Sequence, residues 1–186
     1  MIKKLSTLVL LILIFLLPLA FSQEKEMVFV GEGKYFTVYC SSSVDLASVL
    51  NKLKFTYLGS VDDYLSDNRS NIRSALVGAI DDLYLEVSDI LDIHIYSYHG
   101  NLRFFPDQAS VSSVFSSYLG AGFPERSFYL HPKNTIYISA QDVTLGMLGH
   151  EIAHAVISHY FVVPPPAKVQ EVLCGYVEYT LLKKSN

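Results

Sequence analysis

The sequence predicts an α+β domain, and three observations carry that prediction. Of the 186 residues, 51% are hydrophobic and 17% charged, which supports a packed core and is too apolar for a disordered chain. Apolar residues recur at helical spacing in some segments and cluster or alternate in others, so both helices and strands are expected. The two kinds follow one another without strict alternation and without an internal repeat, which separates the chain from doubly wound α/β sheets. A net charge of −4 gives no basic footprint, so nucleic acid is not an expected partner. Two cysteines are too few for a disulfide scaffold.

The chain opens with a targeting layout. Lys3 and Lys4 precede an almost unbroken apolar run from Leu5 to Leu17; Pro18 breaks it, and Ala20-Phe21-Ser22 has the small residues of a cleavage site. Residues 1–22 are therefore expected to be a secretory signal peptide, and the protein to be exported, secreted or periplasmic. A spanning helix needs roughly 20 apolar residues, more than this run offers. The membrane is an expected partner only through this segment, if it stays attached. In an oxidising compartment Cys40 and Cys174 could form a disulfide. Two buried free thiols are the alternative, since free Cys is among the most buried residue types.

Residues 23–32 are polar and Gly-containing and read as a linker to a domain over 33–186. Tyr35 to Cys40 is aromatic and β-branched, hence a strand. Ser41 to Ser43 offers caps for a helix carrying Leu46, Val49, Leu50 and Leu53. Gly59 to Asn71 is polar and turn-prone. Leu76, Ile80, Leu83, Val87 and Ile90 then form one apolar stripe, the clearest helix in the chain. Ile93 to Tyr98 alternates and reads as a second strand. Asp107 can cap a helix ending near Leu119. Phe128 to His131 and Thr135 to Ser139 are short strands, and Pro132-Lys133-Asn134 between them makes a hairpin. Asp142 or Thr144 can cap a helix reaching Tyr160. After Pro164-Pro165-Pro166 a last helix runs from Ala167 to Leu182, with Lys183 and Lys184 favourable at its C-terminal end.

The chemistry is concentrated in His150-Glu151-Ile152-Ala153-His154. On a helix, positions i and i+4 lie on one face, so the two imidazoles can bind one Zn²⁺ while Glu151 reaches a water beside it. Catalytic zinc takes three protein ligands and keeps one position for water. The last helix offers two acidic candidates, Glu171 and Glu178. Glu171 is the better one, because it follows the Pro-rich turn closely, where the helix can face back onto the motif. Glu178 lies about two turns further along and is expected to sit too far from the same ion. His159 lies past His154 on the motif helix and points elsewhere.

His150-Glu151-x-x-His154 followed by a helical Glu171 resembles the gluzincin metallopeptidases, and more closely their small peptidase MA-like domains. These show a strand like Asn134-Thr135-Ile136-Tyr137-Ile138 before the motif helix, a Pro-bearing turn, and a stretch like Glu171-Val172-Leu173-Cys174-Gly175-Tyr176. The likeness is specific over 134–179 and looser over the rest of 33–186. It implies a small zincin-like domain with a short mixed sheet, and a zinc-dependent endopeptidase. His150, His154 and Glu171 would bind Zn²⁺, Glu151 would act as general base on a zinc-activated water, and a peptide or protein would be the substrate. Thr135 to Ser139 would be the edge that pairs with extended substrate. Tyr176 and Tyr179, with Tyr160 and His131, are candidates to stabilise the oxyanion.

The chain departs from the pattern at two positions. Val172 stands where many gluzincins have Gly, and Gly175 where some have an Asp that orients a zinc-binding His. The group orienting His154 is therefore to be found elsewhere. An inactive peptidase-like binding module is the competing reading, and the intact Glu151 argues against it. A purely structural zinc site usually has four Cys or His ligands, which this set does not provide.

Overall fold

The computed structural model describes residues 27–53, 68–120, 122 and 124–185. The expected signal peptide lies outside these residues, as do 59–67 of the polar segment. Among the described residues the chain is α+β, with one five-stranded mixed sheet in the order β1-β2-β3-β5-β4. The strands are β1 (Met27–Glu32), β2 (Phe36–Ser41), β3 (Gly100–Phe105), β4 (Ser127–Leu130) and β5 (Thr135–Ser139). β2, β3 and β5 run parallel in the centre, and β1 and β4 pair antiparallel on the outside. The helices are α1 (Leu46–Lys52), α2 (Asn68–Leu91), α3 (Gln108–Leu119), α4 (Leu145–Tyr160) and α5 (Ala167–Ser185).

Alternation along the central strands divides the apolar residues between two cores. Phe36, Val38, Leu102, Phe104, Ile136 and Ile138 face the helices α1, α2, α4 and α5. Phe105 and Tyr137 point the other way, with Phe128, onto Val111 and Val114 of α3. The result is three layers, with the larger core on the α4 side.

Most expected elements are present, and three positions need correction. Residues 27–32, expected as linker, form β1 and pair with β2, where Phe29 meets Tyr39 edge to face. The short Met27-Val28-Phe29-Val30 run was hidden by the charged residues before it and the glycines after it. The strand expected over Ile93 to Tyr98 is an irregular connection, and Gly100–Phe105 takes its place in the sheet. Asp92, at φ 53°, ends α2 in the left-handed region. The Tyr84 hydroxyl then donates to the Ile95 carbonyl, and Tyr98 stacks on Tyr84 with ring centroids 5.2 Å apart. Alternation here serves an aromatic cluster on α2, not a ladder. α2 also starts earlier than expected, its backbone already helical at Asn68.

The helix caps follow their side chains. Asp107 accepts from the Ser110 N–H and Thr144 from the Met147 N–H. Asp142, the other cap candidate for α4, instead accepts from the Ser139 hydroxyl. The β4–β5 hairpin turns through a 3₁₀ segment, His131–Lys133, and Asn134 at φ 45°. The Asn134 side chain accepts from the hydroxyls of Tyr98 and Tyr129 and donates to the His99 carbonyl.

α4 and α5 form the tightest helix pair. Gly146 and Gly149 of α4 face α5, and a methyl group at Gly146 would lie 3.0 Å from Leu182 and 3.1 Å from Glu178. At Gly149 the space is filled by Leu181 and Val177. Helix-interior glycine ordinarily costs stability; here it lets the two backbones approach. Replacing Gly149 by Val overpacks this contact and is expected to destabilise the fold by about 1–3 kcal/mol. The denaturation midpoint measures the loss. A variant as stable as the parent would show that α5 does not seat there.

Candidate metal centre

α4 carries the motif because its apolar positions drive one side into the core. Leu148, Ile152, Val156 and Ile157 are fully buried. His150 and His154 lie one turn apart on the rim of that face, with ring centroids 5.0 Å apart. The sharp stop at Phe161 and the stretch containing Pro164 to Pro166 return the chain so that α5 packs beside α4.

α5 then presents Glu171 to both rings. One carboxylate oxygen lies 3.5 Å from His150 Nε2 and the other 3.3 Å from His154 Nε2. The Glu171 carboxylate thus spans the two ring nitrogens. Glu178 approaches the opposite side of the His150 ring, its carboxylate 3.2 Å from Nδ1. The sequence expectation kept Glu178 away from the ion; the structure gives it the ring nitrogen that an ion would not use. The Gln170 side chain hydrogen-bonds to His154. Each imidazole therefore has an orienting partner, although position 175 is glycine.

Glu151 reaches from α4 toward β4. It is 7% exposed, and the Ser127 hydroxyl donates to its Oε1 at 2.8 Å. Burial pushes its carboxyl up to about 7; the Ser127 and Tyr129 hydrogen bonds oppose the shift, and the nearby Glu171 and Glu125 carboxylates add to it. His154 is pushed down, by burial first and by His150 second. The Cys174 thiol is pushed up, mainly by burial and further by Glu171 and Glu151.

These groups line an open cavity of about 550 Å³. His150, Glu151, His154 and Glu171 form one wall, and Ser127, Phe128, Tyr129 and His131 come from β4 and the turn after it. β4 ends the sheet among the described residues, while β5 is paired on both sides. The expectation that Thr135 to Ser139 is the open edge is therefore corrected: the edge is Ser127–Leu130.

Of the oxyanion candidates, His131 lines the cavity. Tyr176 and Tyr179 are 56% and 65% exposed on α5 and are not among the residues lining it, nor is Tyr160. Cys40 and Cys174 are both free and buried, so the free-thiol alternative holds over a disulfide. Cys174 Sγ lies within 4.8 Å of a ring nitrogen of both His150 and His154.

Sequence reasoning missed Ser127, Gln170 and the roles of Glu178 and Cys174. For the last two the signal was present: Cys174 and Glu178 are three and seven residues after Glu171, the helical spacing that repeats one face. Ser127 had no such signal, since only strand pairing brings β4 beside α4.

No family model matches the chain, and no curated protein or solved structure matches it.

Replacing Glu178 by Ala releases the His150 ring. The expected consequence is Zn²⁺ affinity reduced about 10–100-fold, measured by competition with a chromophoric chelator on protein of unchanged circular dichroism. Unaltered affinity would mean that Glu178 does not orient the ring.

Proposed function

We propose that this protein is an exported zinc-dependent endopeptidase of the gluzincin kind, with a zincin-like fold. The observation that carries the reading is the Glu171 carboxylate spanning the Nε2 atoms of His150 and His154, with Glu151 held beside them by Ser127. Two imidazoles and a carboxylate, each ring with a further hydrogen-bond partner, fit the donor set of a catalytic zinc ion.

When bound, the ion supplies Lewis acidity, polarising a carbonyl and making water acidic enough to attack near neutral pH. Glu151 takes the proton as water attacks the peptide carbonyl and returns it to the leaving amine. The Ser127 hydroxyl and the Tyr129 backbone hold the Glu151 carboxylate in place at the cavity. His131, which lines the cavity from the facing turn, is the candidate for donating to the developing oxyanion. An extended peptide would add to the β4 edge, with its backbone hydrogen-bonded to Ser127–Leu130 and its side chains alternating in and out of the cavity. That mode recognises peptide backbone and leaves sequence preference to the cavity walls. Export rests on the layout of residues 1–22. No described helix is long and apolar enough to cross a membrane.

The first test is zinc per chain by elemental analysis. About one ion in the parent, and a marked loss in Glu171→Ala, are expected from the ligand count. A folded parent that binds no zinc overturns the reading and favours a peptidase-like binding module. The second test is Glu151→Gln, which should keep its zinc and lose roughly 10²–10⁴-fold in peptide turnover. Full turnover with zinc bound would remove Glu151 from the mechanism.

A further inference from the structure

One thiol lies inside the α4–α5 helix pair beside the two imidazoles. Cys174 is fully buried, and its sulfur lies within 4.8 Å of a nitrogen of both His150 and His154. It belongs to a row of donor groups on α5, Glu171, Cys174 and Glu178, all turned toward the two imidazoles. Glu171 approaches from the open side, its side chain 60% exposed, and Cys174 from the dry side. The other thiol, Cys40, is buried in the sheet core on β2. A tetrahedral ion holds nitrogen and sulfur donors roughly 3.5 Å apart, given the usual Zn–N and Zn–S lengths. The separations here are below 4.8 Å, so the closure required is on the order of an ångström.

We propose that Cys174 is a fourth donor at this centre, so that the site binds thiophilic cations such as Zn²⁺ and Cd²⁺ through two imidazoles, a carboxylate and a thiolate. This rests on the reading that His150 and His154 bind metal. On binding, the sulfur–metal bond forms and the thiol proton passes to solvent. A thiolate selects for soft, d¹⁰ ions, which a set of imidazoles and a carboxylate alone does less strongly. In a peptidase the fourth position is the one water uses, so a centre held by Cys174 would have to exchange the sulfur for water or add water as a fifth ligand before acting.

The test is titration of the metal-free full chain with Cd²⁺, following the ultraviolet sulfur-to-cadmium charge-transfer band. The band should saturate at one equivalent in the parent and in Cys40→Ala. It should be absent in Cys174→Ala and Cys174→Ser, and their Cd²⁺ affinity should fall about tenfold or more, the scale of losing one supporting group. ¹¹³Cd NMR of the parent needs no variant, and a resonance in the range of sulfur-containing sites supports the proposal. One equivalent of Cd²⁺ bound without the band, or a resonance typical of nitrogen and oxygen ligands only, overturns it and leaves the His150–His154–Glu171 site standing. A folded parent that binds no Cd²⁺ and no Zn²⁺ overturns both.

Discussion

The site depends on how closely α5 can approach α4. Glu171, Gln170, Cys174 and Glu178 all come from α5, and the groups they serve are on α4. Side chains of this length reach the imidazoles only because Gly146 and Gly149 leave no Cβ between the backbones. Below the donors the same interface turns apolar, with Val177 and Leu181 fully buried. Hydrophobic burial thus fixes the helix separation, and the polar groups above inherit it. The order matters energetically. Charged contacts across a partly solvated rim are worth little by themselves, so they cannot be what holds α5 in place. They are positioned by packing that needs no metal.

Polarity is distributed so that each group finds its environment. Glu171 reaches the open cavity, its side chain 60% exposed. Glu151 is buried, and it tolerates burial because Ser127 and the Tyr129 backbone hydrogen-bond to it. The two carboxylates line the same cavity yet have opposite surroundings, the separation that the proposed roles of ligand and base require. Ser127 comes from the edge strand and Glu171 from the last helix. The cavity is therefore closed by elements more than forty residues apart in sequence, and each depends on the sheet that carries both β4 and the α4 core.

The parts legible in the sequence are those governed by local periodicity. The α4 motif, its neighbour α5, the long α2, the Asp107 and Thr144 caps and the β4–β5 hairpin all follow from spacing and turn chemistry within a few residues. The parts that were not legible depend on pairing. Gly100-Asn101-Leu102-Arg103 looks polar and turn-like, yet it forms a central parallel strand because Leu102 and Phe104 reach the core between β2 and β5. Ile93 to Tyr98 looks like a strand, yet Tyr84 removes it by taking the Ile95 carbonyl. Likewise β5 was legible as a strand, while its place inside the sheet depended on β3 and β4 flanking it. Chain-local pattern reads an element; it does not read the element's neighbours.

The glycine at position 175 shows how the two levels combine. A side chain at 175 would project into open space, with no atom of the protein within 4 Å of its Cβ. A carboxylate there could not orient an imidazole in this helix pair. The task falls to the donor face of α5, one helical repeat beyond Glu171, where Glu178 meets His150 Nδ1 at 3.2 Å. Glu has the extra methylene needed to span the helix gap from that position. The hydrogen bonds to the two rings come from other turns of the same helix, Gln170 to His154 and Glu178 to His150.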